Sequence, residues 1–297
     1  MKILLTGASG FVGAFMQRQV PCIAMSNAGQ EVDLRKPEEV RLTIEKIRPD
    51  AVIHLAGQSF VPASFANPRE TFEINFMGTL NLLQALKAAD FEGRMLHVGS
   101  GDAYGFVPED GLPVSEDRPL RPRNPYGVSK VASEALCYQW SQTESFSVTM
   151  TRSFNHIGPG QSDRFAVSDF AKQVVEIRKG RRRPALSVGD IDVTRDFTDV
   201  RDATAAYSLL LESGHNGEAY NVCSGVERSL RSMVERLLAL ANVDARIEQD
   251  PIRMRVSEQR RMRGSYEKLN RDTGWQPVIP LDQSLTDILQ FWEERLS

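Results

Sequence analysis

Short apolar runs alternate with longer amphipathic ones along the first half of the chain, and that rhythm predicts its elements. Lys2 to Leu5 reads as a strand, Phe11 opens a helix that Pro21 stops, and Cys22 to Met25 reads as the next strand. Residues 38–47 carry helical spacing, and Ala51 to Leu55 is an unbroken apolar run suited to a buried strand. A long amphipathic helix follows over Phe72 to Ala89, then a strand over Met95 to Val98. A second long helix is expected from Tyr126 to Gln142 and a strand from Ser147 to Arg152. Strands alternating with helices of this length predict an α/β protein with a doubly wound parallel sheet.

Beyond residue 155 the rhythm loosens. Helical patterns at 167–179, 229–241 and 281–295 mix with short strands, one of them Tyr220 to Val222. The expected organisation is a Rossmann-type nucleotide-binding domain over 1–155, completed by a return segment near 195–223. Segments 156–194 and 224–297 would form a smaller C-terminal α/β substrate-binding domain. Ligands of such sheets bind beyond the carboxyl ends of the strands, so the cleft should lie between the two parts.

Composition narrows the partners. The chain has 297 residues, 41% hydrophobic and 25% charged, with a net charge of −3, and a pI of about 5.9. Nothing global calls for nucleic acid or an anionic membrane, and the basic runs lack interleaved aromatics. No stretch approaches the roughly 18 apolar residues of a membrane span. Cys22, Cys137 and Cys223 are scattered, without metal spacing, and read as reduced thiols of a cytoplasmic protein. The run Arg178 to Arg183 reads as a solvated helix end.

The candidate chemistry begins at the first strand. Gly7, Gly10 and Gly13 are spaced G-x-x-G-x-x-G, and the turn includes Ser9, Phe11 and Val12. Such a turn lets backbone N–H groups and a helix N-terminus approach a pyrophosphate. Asp33 and Leu34 could contact adenine through a carboxylate and a backbone amide; an acid ahead of a helix serves equally as a cap. Leu55, Ala56 and Gly57 are small enough to let a cofactor approach, and His54 more often satisfies a strand end than performs catalysis. Ser26 and Asn27 stand where an acid would hold the ribose of NAD, and Arg35 is the nearest cation for a 2′-phosphate. The expected cofactor is NADP(H), with NAD(H) as the alternative.

Tyr126 and Lys130, in Asn124-Pro-Tyr-Gly-Val-Ser-Lys130, lie one helical turn apart. Tyrosine titrates near 10 and shuttles protons poorly at neutral pH. An ammonium on the same helix face would lower that value and hold the nicotinamide ribose. Ser100 follows a strand end, where a hydroxyl could polarise a carbonyl or cap a turn.

These residues together resemble one family. The turn Gly7 to Gly13, His54-Leu-Ala, Asn75-Phe-Met-Gly-Thr-Leu-Asn-Leu-Leu, Ser100 to Gly105, Tyr126 to Lys130, and Arg152-Ser-Phe-Asn155-His-Ile-Gly-Pro-Gly160 are similar to extended short-chain dehydrogenase/reductases of nucleotide sugars. The resemblance implies a Ser100–Tyr126–Lys130 triad supported by Asn75. It implies that Arg195 and Asn155 meet a diphosphate, that Arg255 meets phosphate, and that Glu258 accepts from a ribose; Asp102 could bond a sugar hydroxyl. Val256 stands where the Arg-Pro-x-Glu motif of GDP-mannose-using members has proline.

Within the family, the short spacing after the second strand and Ser100-x-Asp102 favour reduction of a GDP-4-keto-6-deoxy sugar. The dehydratase would need an arginine-rich insertion and a threonine-x-glutamate pair. A 4,6-dehydratase or 4-epimerase is the alternative, and a non-catalytic nucleotide sensor a distant third. The same likeness implies a homodimer through helices 72–89 and 126–142.

Overall fold

The computed structural model describes residues 1–27, 29–253 and 259–297. Its strands are β1 (Ile3–Thr6), β2 (Cys22–Ala24), β3 (Ser26–Asn27), β4 (Gln30–Glu31), β5 (Ala51–His54), β6 (Arg94–Val98) and β7 (Ser147–Ser153). They continue as β8 (Asn155–Ile157), β9 (Ala185–Val188), β10 (Thr194–Asp199), β11 (Ala219–Val222), β12 (Glu227–Ser229) and β13 (Arg246–Gln249). The helices are α1 (Phe11–Gln19), α2 (Pro37–Ile47), α3 (Val61–Ala66), α4 (Pro68–Phe72), α5 (Gly78–Ala88) and α6 (Pro125–Thr143). After them come α7 (Ala166–Arg178), α8 (Val200–Ser213), α9 (Leu230–Ala241), α10 (Glu267–Thr273) and α11 (Leu281–Arg295).

Six parallel strands make the central sheet in the order β11-β7-β6-β5-β1-β2. Alternate residues of each strand face opposite sides, and both sides are covered. Leu4, Val52, Met95 and Val148 enter a core closed by α2, α5 and α6. Ile3, Leu5, Ile53 and Leu96 enter a second core closed by α1, α8 and α10. The chain reverses its direction of progress between β1 and β5, so the crevice beyond their carboxyl ends is the place for a ligand.

The later segments build a separate apolar cluster in which Phe170, Val174, Leu237 and Trp292 join α7, α9 and α11. Beside it, β12-β10-β8 and β13-β9 form two small sheets. Of the segment 195–223, Ala219–Val222 enters the central sheet, α8 packs on its face, and β10 pairs with β8 and β12. The basic run at the end of α7 is more than a solvated helix end. Arg178 and Lys179 pair with Glu293, and Arg183 with Glu248, tying α7 to α11 and to β13.

The helix expected over 72–89 starts four residues earlier and contains a wider turn. Asn67 caps it by accepting from Glu70 N at 3.1 Å, with Pro68 at the first helical position. Glu73–Met77 is a π-helical turn between α4 and α5. Such turns often mark functional sites, and this one carries Asn75.

Candidate active site

Asn124 accepts from Gly127 N at 2.7 Å and Pro125 fills the first helical position, so α6 starts sharply just before Tyr126. Tyr126 and Lys130 then share one helix face, both buried. Ser100 follows the carboxyl end of β6. It accepts from Asp102 N at 3.2 Å, capping the 3-10 turn Gly101–Tyr104, and it is near enough to Tyr126 to draw that hydroxyl's pKa down. Of the two roles open to Ser100 in the sequence, the turn cap is the one the structure displays. Lys130 donates from Nζ to the Val98 carbonyl at 2.9 Å, which ties α6 to the end of β6.

The electrostatics differ from the expectation that Lys130 would depress Tyr126. Burial drives the Tyr126 hydroxyl well above its ordinary value, the Asp102 charge adds to this, and the Ser100 hydrogen bond opposes it. Burial also pulls Lys130 down to about 8. In both groups desolvation is the largest cause of the shift. Desolvation pushes the Asp102 carboxyl up, against the Asn124 amide and the Arg195 charge. Asp102 still meets solvent, so screening weakens that push.

A polar scaffold around Asn75, joined by Ser129 and Ser133, which the sequence did not single out, fixes these groups. Asn75 donates to Ser129 Oγ at 2.9 Å, and Ser129 Oγ donates to the Tyr126 carbonyl at 2.7 Å. Ser133 donates to the Asn75 carbonyl at 2.9 Å. Ser129 was discoverable in principle, being three residues after Tyr126 on the buried face of the helix. His54 takes the plainer role: its ring nitrogens pair with Thr6 at 2.8 Å and Thr79 at 2.9 Å. Burial and the Lys130 charge hold it down to about 3, so it is neutral.

The nucleotide end also fits its expected ligand. Gly7 has φ of 69°, and a Cβ there would lie 2.7 Å from Ala56 N, so the turn and Leu55–Ala56 pack backbone to backbone. Ala56 N donates to Thr6 Oγ1 at 3.1 Å. Helix α1 has Gly10 as its cap, no side-chain cap bond and no acid in its first turn. That leaves its positive end open toward a pyrophosphate. Phe11 and Val12 are half-buried in this first turn, and Gly13 is buried. A Cβ at Gly57 would lie 3.1 Å from Asn75 Oδ1 and 3.4 Å from Lys130 Nζ. The opening above those groups exists because residue 57 has no side chain.

Asp33 caps its own turn by accepting from Arg35 N at 3.0 Å, and it also accepts from the Arg35 side chain. Leu34 is buried, its carbonyl accepting from Asn81 at 2.7 Å. No acid directly follows β2 in the sequence, where Ser26 and Asn27 stand. The antiparallel pair β3–β4 folds back after β2 and brings the Glu31 carboxylate onto the Ser9 hydroxyl.

On the substrate side, Arg195 donates to the carbonyls of Thr194 at 2.6 Å and Gln259 at 3.2 Å, and its charge acts on Asp102. Exposed Asn155 pairs opposite Phe197, two residues from Arg195, across β8–β10. Asp102, Arg195, Ser100 and Tyr126 thus share one neighbourhood. Arg255 and Glu258 lie outside the described residues. Among the described residues, no group of three or more His, Cys, Asp or Glu could hold a metal ion.

A parallel sheet with an open glycine turn at its switch point, and a serine, tyrosine and lysine beyond its strand ends, define a short-chain dehydrogenase/reductase of the extended type. The chain belongs to the GDP-mannose 4,6 dehydratase family, which it matches over residues 25–288. It is 48% identical to GDP-6-deoxy-D-mannose reductase of Pseudomonas aeruginosa, over 99% of this chain and 98% of that one. It is 30% identical to GDP-6-deoxy-D-talose 4-dehydrogenase of Aggregatibacter actinomycetemcomitans, covering 91% of this chain and 90% of the relative. The solved structure of RMD from Pseudomonas aeruginosa complexed with NADPH superposes with a TM-score of 0.93 at 47% identity, covering 99% of each chain.

Proposed function

We propose that this chain reduces the C4 keto group of GDP-4-dehydro-6-deoxy-D-mannose to give GDP-D-rhamnose, with NADPH as cofactor and NADH as the alternative. The observation that carries the reading is the near end-to-end identity with the Pseudomonas reductase, and the Ser100–Tyr126–Lys130 cluster supplies matching chemistry. The bound nicotinamide supplies the hydride. Tyr126 gives its proton to the C4 oxygen, and Ser100 hydrogen-bonds that oxygen as charge develops. The upward push on the Tyr126 pKa keeps its hydroxyl protonated at neutral pH, ready to donate. Lys130 holds the nicotinamide ribose, and the open end of α1 with Gly7 to Gly13 holds the pyrophosphate. Asp33, Leu34, Leu55, Ala56 and Gly57 line the rest of the cofactor's path.

Asn155 and Arg195 hold the GDP diphosphate, with Arg255 and Glu258 completing the grip, and Asp102 bonds a sugar hydroxyl. Residues 1–155, with 195–223, form the cofactor domain, and 156–194 with 224–297 form the cap. The enzyme works as a homodimer through helices 72–89 and 126–142. Met77, Val128 and Tyr138 stand exposed on those helices, which supports that pairing. It acts in the cytoplasm; Cys22, Cys137 and Cys223 are free thiols, and no helix among the described residues is long and apolar enough to cross a membrane.

The direct test uses NADPH carrying deuterium at the transferable C4 position. Deuterium at C4 of the product sugar, located by mass spectrometry and NMR, supports the reading. Product free of deuterium would refute hydride transfer to that carbon.

A further inference from the structure

We infer that Gln259 is a positioning residue for the reduction: it ties the arginine that grips the diphosphate to the loop carrying Ser100 and Asp102, and so sets C4 of the sugar against Tyr126. The inference rests on the function read above. It starts from a contact between residues 152 positions apart in the chain. Gln259 Oε1 accepts from Val107 N at 2.7 Å, and Gln259 Nε2 donates to the Val107 carbonyl at 3.0 Å. The same Nε2 donates to the Arg261 carbonyl. A primary amide offers one carbonyl acceptor and two N–H donors, and here each meets a backbone partner. The side chain pairs with Val107 as a neighbouring strand would.

Both ends of this link reach the candidate site. Buried Val107 lies on the loop that leaves the turn Gly101–Tyr104, just after Ser100 and Asp102. At the other end the Gln259 carbonyl accepts from Arg195 Nη1 at 3.2 Å. Arg195 in turn places its charge where it acts on the Asp102 carboxyl. The circuit closes: Arg195 to Gln259, Gln259 to Val107, Val107 along the chain to Asp102, and Asp102 back to Arg195. A hexose held only by the phosphates on C1 swings about that anchor, and C4 lies across the ring from it. A misplacement of about 1 Å at a reacting centre costs up to roughly 10²-fold.

Other contacts carry the fold of this segment. Val114 N donates to the Arg263 carbonyl at 2.9 Å, and Ser265 N donates to the Val114 carbonyl at 2.8 Å. Met262 packs with Tyr104, Val107 and Val114 in a small apolar cluster. Gln259 is half-buried and outside that cluster, so losing its amide loosens the link to Arg195 without unmaking the segment.

Two variants test the assignment beside wild type. Gln259→Met keeps the reach of the side chain and removes the amide. Gln259→Glu keeps an acceptor for Val107 N and sets a carboxylate oxygen against the Val107 carbonyl. Steady-state NADPH oxidation gives kcat and the KM for the sugar nucleotide, and calorimetry gives the Kd and stoichiometry of NADPH and of GDP. In Gln259→Met kcat is expected to fall about 10–10²-fold, and at least as far in Gln259→Glu, while KM, both Kd values and both stoichiometries hold. If Gln259→Met fails to fold, the same readings on Gln259→Glu decide. An unchanged kcat, a loss confined to KM, or a binding stoichiometry that falls in step with kcat overturns the inference and leaves the function reading intact. A wild type that binds NADPH and GDP but oxidises no NADPH overturns both.

Discussion

Asn75 and Gln58 are bound to each other twice: Gln58 N donates to Asn75 Oδ1 at 2.7 Å, and Asn75 Nδ2 donates to the Gln58 carbonyl at 3.0 Å. The π-helical turn presents Asn75 to the loop after β5, and the same amide reaches Ser129 on α6. One side chain thereby locks the strand-end loop against the helix that carries Tyr126 and Lys130. Asn75→Ala would strand Gln58 and Ser129 in a buried setting, at a cost of about 2–3 kcal/mol. Denaturant unfolding should show that loss. If Asn75 positions catalytic groups, kcat falls while the KM for the sugar nucleotide holds; a purely structural role would leave kcat of the folded variant unchanged.

Ser100 acts on the Tyr126 hydroxyl, and its proposed role is to hydrogen-bond the reacting oxygen. Ser100→Ala should lower kcat by roughly 10²-fold, the usual effect of removing one preorganised donor. It should also push the Tyr126 pKa further up, since Ser100 is the neighbour pulling it down. A pH–rate profile of the variant reads both effects.

Lys130 titrates at about 8, so its charge is present below that pH and lost above it. If the charge supports catalysis, kcat/KM should decline on the alkaline side with an apparent pKa near 8. Lys130→Arg retains the charge at all accessible pH values. Whatever activity that variant keeps should lack the alkaline decline. A decline that persists in Lys130→Arg would assign it to another group.

His54 and His97 pair across β5 and β6, ring centroids 5.4 Å apart. Burial holds His54 down to about 3, and His97 falls well below its ordinary 6.5. Unfolding restores both to the ordinary value. Below it, the unfolded chain binds protons that the folded chain refuses. Stability is therefore full above the ordinary histidine value and declines as pH falls beneath it, by up to about 1.4 kcal/mol per pH unit for each ring. Urea unfolding from pH 7.5 to 5 should show this slope, and His97→Phe should remove one ring's share.

The regular sheet was legible because each parallel strand is a short run apolar on both faces: Ile3 to Leu5 and Ala51 to Ile53 need no distant partner to be recognised. The start of α6 was legible for the same local reason, a proline after an asparagine cap. The π-helical turn at Glu73–Met77 was not, because its sequence has ordinary helical spacing and only the packing of Asn75 distinguishes it. β10, with Thr194, Arg195, Asp196, Thr198 and Asp199, is mostly polar, yet its last four residues are buried. Asp196 is satisfied by Ser224 and by the amides of Gly225 and Gly264, contacts that no local pattern announces. In the site, Tyr126 and Lys130 came from a spacing within one helix. The Asn75–Ser129 link and the Ser9–Glu31 contact join residues separated by 54 and 22 positions, so only the folded chain reveals them.

Reduction of a 4-keto sugar with Tyr126 as proton donor is tested by following NADPH absorbance while GDP-4-dehydro-6-deoxy-D-mannose, generated in place from GDP-mannose, is supplied to wild type and Tyr126→Phe. The expected result is stoichiometric NADPH oxidation with GDP-D-rhamnose as product, and a kcat lower by about 10²–10⁴-fold in Tyr126→Phe. Water loss from GDP-mannose without added cofactor, or full turnover by Tyr126→Phe, would contradict it.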